Sequence, residues 1–452
     1  MSEADTWIVG QHVVVQGAVR PLAIRVREGR IAELADPSAV PPGAPVIDAQ
    51  DSWILPGLVD SHVHINDPGR ETWEGFDTAT RAAASGGVTT LLDMPLNSIP
   101  ATTTLAGLQA KVRALGDRAC VDVALAGGLV PGFGDDLPAM LKEGVPAVKC
   151  FLAESGVAEF SHIDRDELER GMKLLAKHGT TLLVHAELPG PLTQAEADLA
   201  GLDPRAYSTY LKSRPKTAED AAVEMLVELC QRTQCQVHVV HLSSAQALPT
   251  VQRARDMGLP FTVETCPHYL TFVAEEIPDG ATEYKCAPPI RERQNQDALW
   301  RALAEGLISQ VVTDHSPATV DLKCSGSGDF MKAWGGISSL QLGLSAVWTQ
   351  AHARGLTLPQ VVSWMCEAPA KLLGLAGQRG TIAVGARADL VFFDPDAPFF
   401  VDREQLHHKN KLTPYHARTL RGRVRRTFLA GHTVFHDGEL ATPQGTWLQH
   451  TR

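Results

Sequence analysis

The chain has 452 residues, 44% of them hydrophobic and 21% charged, ordinary proportions for a folded protein with room for more than one core. Asp and Glu number 52 against 41 Lys and Arg, a formal charge of −11, which argues against a nucleic-acid partner because phosphate binding needs a basic face. No apolar run reaches the roughly 18 residues of a membrane span, and eight scattered cysteines with no CxxC pair and no N-terminal signal segment point to free thiols in a reducing cytoplasm.

The chain opens with short alternating stretches, Thr6–Gly10, His12–Gln16, Leu22–Arg27 and Arg30–Leu34, which predict strands joined by glycine turns. A Pro-rich loop, Asp36–Pro45, follows, and Val46–Leu55 leads to Pro56-Gly57. From there the pattern changes. Short apolar runs predict strands at Leu58–Val63, Thr89–Met94, Ala119–Leu125, Ala147–Phe151, Thr181–His185, Gln236–His241, Phe261–Thr265 and Ile308–Asp314. Amphipathic stretches lie between them, among them Leu105–Leu115, Arg165–Lys177, Ala218–Arg232 and Ala298–Ala304. This alternation predicts an α/β fold, a parallel (β/α)8 TIM-like barrel over residues 58–374. Strand patterns return at Gly380–Gly385, Asp389–Asp394, Arg423–Leu429 and His432–Phe435. Residues 1–57 and 375–452 are therefore expected to form one small β-sandwich domain from both termini. Arg421–Arg426, with four arginines in six residues, reads as a solvated strand edge or an interface.

Chemistry-bearing residues gather at the predicted strand ends. Asp60-Ser-His62-Val-His64 closes the first barrel strand, and residues two apart on a strand share a face. His62 and His64 can both point into the barrel mouth, where active sites of this fold lie. His185 ends Thr181-Leu-Leu-Val-His185, His241 ends Val237-His-Val-Val-His241, and Asp314 ends Val311-Val-Thr-Asp314. A lone histidine at such a place is more often structural, whereas four strand ends converging on one mouth suit transition-metal ligation. His238 and His315 alternate away from these positions and read as structural. Lys149 lies inside the apolar run Pro146-Ala-Val-Lys149-Cys-Phe151. An unpaired buried ammonium is costly and burial lowers its pKa. Two readings stay open for it: an amine that takes up carbon dioxide as a metal-bridging carbamate, or a strand-end lysine snorkelling to solvent. Four histidines, a carboxylate and a carbamate would suffice for two divalent ions ~3.5–4 Å apart, which generate a bridging hydroxide and polarise a carbonyl. Asp314 could then serve as general base and afterwards as general acid.

These residues, in this order, resemble the amidohydrolase superfamily in its branch of cyclic amidohydrolases, which includes hydantoinases or dihydropyrimidinases, dihydroorotases and allantoinases. The resemblance spans nearly the whole chain. It implies the barrel with its composite β-sandwich and a binuclear centre bridged by carboxylated Lys149 (N6-carboxylysine). His62, His64, Lys149, His185, His241 and Asp314 would be the six ligands. Zinc is the expected metal, with cobalt, manganese or iron also suited. Within the branch the wording is similar to allantoinases. This holds for His62-Val-His-Ile-Asn-Asp-Pro-Gly-Arg-Glu-Thr-Trp-Glu-Gly-Phe76, Asp93-Met-Pro-Leu-Asn-Ser-Ile-Pro100, Glu264-Thr-Cys-Pro-His-Tyr-Leu270, Lys285-Cys-Ala-Pro-Pro-Ile-Arg291, the stretch Gly328–Gln341 and Asn410–Tyr415. A dihydroorotase-like chain would place Arg at position 66, where this one has Asn66. Asp67 stands where Glu is more usual, and Ala318-Thr-Val320 replaces an expected Cys-Thr-Pro.

The implied reaction is opening of the hydantoin ring of allantoin to allantoate, in a cytoplasmic homotetramer. Asn97, the backbone around Ala287, Ser316 and the Gly335-Gly336 turn are the implied substrate contacts. The Lys149–Gly156 stretch resembles a loop that closes over the ring in hydantoinases. Cys150 reads as core packing, Asn97 equally as a turn residue, and Trp73 and Trp334 as packing that shapes the pocket wall. Two other readings stand beside this one: a hydantoinase acting on another cyclic ureide, and a metal-free binding protein, which would be expected to have lost ligands that are all present here.

Overall fold

A computed structural model describes residues 5–450. Eight short parallel strands line a barrel. They run Leu58–Val63, Val88–Asp93, Asp122–Leu125 with its continuation Gly127–Gly128, Ala147–Phe151, Thr181–His185, Val237–Val239, Phe261–Thr265 and Gln310–Val311. The third strand changes partner at Ala126: its first part pairs with Val88–Asp93 and its second with Ala147–Phe151. A Cβ at Gly128 would sit 2.6 Å from the Phe160 ring, so a side chain there would collide with the loop behind the strand. A parallel bridge from Val63 to His315, with His64 N donating to His315 O at 2.8 Å, closes the ring of strands.

The strands are almost wholly buried, as expected when helices cover a parallel sheet. Those helices start and stop on local signals. Thr104 accepts from Gly107 N to cap Leu105–Leu115, and Asp164 accepts from Glu167 N to cap Arg165–His178, which Gly179 ends in a left-handed turn. The helix Lys216–Thr233 extends two residues before and one after Ala218–Arg232 on a continuous apolar face that includes Ala222, Val223, Leu226 and Leu229.

Both chain ends build a second, nine-stranded sheet. Thr6–Val15, Ala18–Arg27 and Arg30–Ala35 come from the N-terminal side. Leu390–Phe400, Thr419–Leu429 and His432–His436 come from the C-terminal side, and Trp53–Pro56 joins the two groups. Two details differ from the sequence expectation. Thr6–Gly10 and His12–Gln16 are one strand with a register shift between Gly10 and Val13, because a bulge absorbs the break in alternation. Gly380–Gly385 forms a loop and no strand: Ile382 turns into the small core, while Gly380 and Gly385 take positive φ. The arginine run lies on Thr419–Leu429, where it pairs with Leu390–Phe400 along Arg421, Arg423, Val424 and Arg426, whereas His432–His436 covers the other side only from Arg426 onward, so most of the run borders an open stretch of strand. Arg421 and Arg425 are matched to Asp396 and Asp394. Among the described residues, no helix is long and apolar enough to cross a membrane.

The sheet is riveted to the barrel by buried charge. Arg379 donates to Asp122 Oδ2 at 2.7 Å, Asp389 Oδ2 at 3.1 Å and Thr90 Oγ1 at 3.0 Å. Arg387 reaches Asp122 Oδ2 at 2.8 Å and Asp389 Oδ1 at 3.1 Å. Asp122 and Thr90 belong to barrel strands, whereas Asp389 precedes Leu390–Phe400 and accepts from Ala430 N in the sheet. Removing one partner from such a cluster strands the others without solvent. Arg379→Met is therefore expected to lower unfolding stability by about 3–5 kcal/mol in chemical denaturation, with Arg379→Lys losing less. A change within 0.5 kcal/mol would show that the network is not what joins the two parts.

Candidate metal centre

The expected ligands meet at the C-terminal mouth of the barrel. His62 Nε2 and His64 Nε2 lie 3.3 and 3.5 Å from Asp314 Oδ1. Donor atoms of these three residues all fall within 4.8 Å of one another. A second pair stands beside them, with His185 Nδ1 3.1 Å from His241 Nε2. The His62 ring also packs 5.3 Å from that of His241, which joins the two groups. Lys149 is fully buried with its Nζ unpartnered, 5.2 Å from the Phe151 ring centre. His241 and Asp314 adopt positive φ, 39° and 46°, at the ends of their strands. Left-handed backbone in a non-glycine residue is strained, and here it bends the chain where those side chains face the mouth.

Carboxylates behind the mouth fix the tautomers. Glu264 Oε1 accepts from His62 Nδ1 at 2.7 Å, so the His62 lone pair lies on Nε2, towards Asp314. The same carboxylate accepts from His238 Nε2 at 2.9 Å, Gln310 Nε2 at 3.0 Å and His241 N at 3.3 Å. Glu187 Oε2 accepts from His185 Nε2 at 2.6 Å, which leaves the His185 lone pair on Nδ1, facing His241. Arg214 grips Glu187 through two donors. Burial holds His62, His185 and His241 below the ordinary imidazole range; the Lys149 ammonium adds to this, and Glu187 opposes it at His185. Burial also draws Lys149 down to about 8, against the pull of Asp314 and Glu264. Neutral imidazoles with directed lone pairs, one carboxylate and an unpartnered buried amine are a donor set that fits divalent metal ions.

These residues open onto a cavity of about 450 Å³. Asn97, Ala287, Ser316, Gly335 and Gly336 all line it, together with His64, Lys149, His185, His241 and Asp314. Asn97 Nδ2 lies 3.5 Å from His64 Nδ1 and its Oδ1 is buried without a partner. Cys150 is buried in the main core, and burial pushes its thiol up to about 12, as suits a packing residue. Trp334 lines the cavity and meets Trp73 edge-on, ring centres 4.9 Å apart. His315 faces away and pairs with Glu74.

Sequence reasoning assigned no role to Glu187, Arg214, Glu264 or Lys285. The one signal available was a charged residue inside the apolar strand Phe261–Thr265. It also passed over a second cluster, Cys266, His268 and Asp314, which contains a buried imidazole with neither nitrogen bonded.

The amidohydrolase family model matches residues 53–434. An allantoinase of Streptomyces avermitilis is 49% identical to this chain over 99% of both chains. One from Saccharomyces cerevisiae is 42% identical over 98% of this chain and 99% of its own length. Among solved structures, an L-hydantoinase (dihydropyrimidinase) from Arthrobacter aurescens superposes with a TM-score of 0.92 at 30% identity, covering 98% of this chain and 99% of that one.

Outer carboxylates that orient metal-bound histidines commonly contribute about 10–100-fold to metal affinity. Glu264→Ala is expected to weaken retention of divalent metal by that factor in equilibrium dialysis against a chelator. Glu187→Ala should act in the same direction through His185. Unaltered retention in both would mean that these carboxylates serve the fold alone.

Proposed function

The chain belongs to the amidohydrolase family, within it to the allantoinases, and on that premise we propose that it opens the hydantoin ring of allantoin to allantoate in purine catabolism. It is a hydrolase of cyclic amides, and its family implies a binuclear metal centre. The observation that carries the substrate assignment is the 49% identity to an allantoinase over 99% of both chains. In this reading His62, His64, Lys149, His185, His241 and Asp314 would hold two divalent ions, with Lys149 as its carbamate supplying an anionic ligand. Zinc is the proposed metal. Two such ions supply Lewis acidity, which acidifies a water molecule and polarises the scissile carbonyl.

The chain's own residues do the rest. Lys149 reacts as the free amine: its Nζ bonds to the carbon of carbon dioxide, one C–O π bond opens onto oxygen, and the nitrogen releases one proton to solvent, so a neutral amine becomes an anionic two-oxygen ligand. The burial that lowers its pKa favours the amine. Asp314 takes the proton of the attacking water and passes it to the departing ring nitrogen, a task for which its place beside His62 and His64 and on the cavity wall suits it. Asn97, Ser316 and the backbone at Ala287, Gly335 and Gly336 hold the ring's amide edges. A cytoplasmic homotetramer completes the reading; the eight cysteines, all unpaired, accord with a reducing compartment.

The deciding experiment loads the purified protein with zinc and bicarbonate and measures ring opening of allantoin beside hydantoin, dihydrouracil and dihydroorotate. Turnover of allantoin well above the others is expected. Preference for another ring would replace the substrate and leave the hydrolase standing. Lys149→Ala is expected to lose both bound metal and activity. Asp314→Asn should lower kcat by at least about 100-fold, as removal of a general acid–base does; near-normal kcat would remove Asp314 from proton transfer.

A further inference from the structure

Four lysines are buried among the described residues: Lys111, Lys149, Lys285 and Lys323. Three are accounted for. Lys111 pairs with Asp93 at 2.7 Å and donates to Met94 O at 2.8 Å. Lys323 spends its three protons on three carbonyls, Lys285 O at 3.1 Å, Trp334 O at 2.9 Å and Gly336 O at 2.7 Å. Lys149 belongs to the proposed metal bridge. Lys285 remains. It donates to Met331 O at 3.2 Å and Ala333 O at 2.5 Å, and lies 4.9 Å from the Tyr210 ring centre. An ammonium has three protons to donate, and among the described residues Lys285 has neither a third acceptor nor an anionic partner. It is only 9% exposed, yet it lines the cavity.

Its position within the cavity matters. The scissile amide must sit at the Lys149, His185 and Asp314 end. Lys285 is fastened to the wall Met331–Gly336 of the same cavity, whose first residue, Met331, is 38% exposed. That wall is rigid at this point, because Lys323 ties it to the Lys285 backbone. Burial, reinforced by Arg214 and opposed by Cys324 and Asp329, draws Lys285 to about 8, so it is still mainly protonated at pH 7. A ring substrate seated on the metal centre thus shares the cavity with a fixed, underused cation.

We propose that Lys285 is a specificity-determining residue that donates a hydrogen bond to the carbonyl oxygen of a ureido substituent on the ring. This rests on the reading of the site as one that opens a ureido-substituted hydantoin. A urea carbonyl is a strong neutral acceptor, and a hydrogen bond from a charged donor in a dry site is stronger than a neutral one.

The test is steady-state kinetics of zinc-loaded wild type and Lys285→Met on allantoin and on unsubstituted hydantoin. Methionine keeps the length of the side chain and cannot donate. Expected is a fall of about 10–100-fold in kcat/KM for allantoin, mainly through KM, with hydantoin changed less than about twofold and metal content unchanged. An equal loss on both substrates would reduce Lys285 to a support for the wall and overturn the proposal, as would an unaltered preference. Should Lys285→Met fail to fold, Lys285→Gln, whose amide still reaches for the wall carbonyls, is expected to shift preference in the same direction by a smaller factor; no shift overturns the proposal. Wild type that does not turn over allantoin sinks the substrate assignment and this inference together. Wild type active on allantoin with no selective loss in the variants sinks this inference alone.

Discussion

Glu264 serves four donors from three neighbouring strands and the loops that follow them: His62 Nδ1, His238 Nε2, Gln310 Nε2 and the backbone N–H of His241. Among the described residues, its ion-pair partners are histidines, with no arginine or lysine. A carboxylate buried in this way is tolerable only if every lone pair is used. Because it is used, the first, sixth and eighth strands of the barrel are locked in mutual register at the level of the mouth. His62 cannot rotate without unpairing the carboxylate. Its free nitrogen is thereby aimed at Asp314, and the geometry of the ligand set follows from this one group. Asp60 repeats the device one layer lower, accepting from His62 N and from Thr313 Oγ1 and N across the seam where the barrel closes.

The parts of the molecule legible in the sequence are those governed by local periodicity. Leu58–Val63, Ala147–Phe151, Thr181–His185 and Phe261–Thr265 emerge with the very bounds that their apolar runs suggest, since a strand buried on both faces leaves a sharp compositional mark. The convergence of His62, His64, His185, His241 and Asp314 was legible for the same reason, each standing where an apolar run stops. Lys149 announced itself as a charge with no local reason to be buried. The residues that orient these groups left no such mark. Glu187 lies two places past His185 in a loop, and Arg214 reaches it from 27 residues away in sequence. Nothing periodic relates the two. Gly380–Gly385 misled for the opposite reason, because buried Ile382 between glycines imitates a strand whose backbone in fact turns.

Charge around the cavity is either matched or spent on backbone. Glu187 is matched by Arg214, so that pair orients His185 without adding net charge. Lys285 and Lys323 hold backbone carbonyls of the Met331–Gly336 segment, which lines the cavity. A wall made from a glycine-containing loop would ordinarily be soft. Cationic staples to its carbonyls supply the rigidity that a strand ladder would give elsewhere. A side chain at Gly336 would strike Ser316 O at 2.1 Å, so the wall approaches the Asp314 loop as closely as backbone allows.

Charge also bears on the proposed role of Lys149. Two divalent ions would bring four positive charges into a mouth whose direct ligands include one carboxylate, Asp314, with Glu264 the nearest uncompensated anion behind it. Placing so much charge in a region screened from water is unfavourable unless anionic ligands offset it. A lysine left as an ammonium would add to the excess, and as a free amine it would contribute nothing against it. Carboxylation, as proposed, would reverse its sign beside the histidine groups. The burial that keeps the imidazoles neutral and ready to bind also disfavours the lysine cation. One physical condition, exclusion of water from the barrel mouth, thus keeps the imidazoles neutral and, on the proposed reading, would select the chemical form of Lys149 as well.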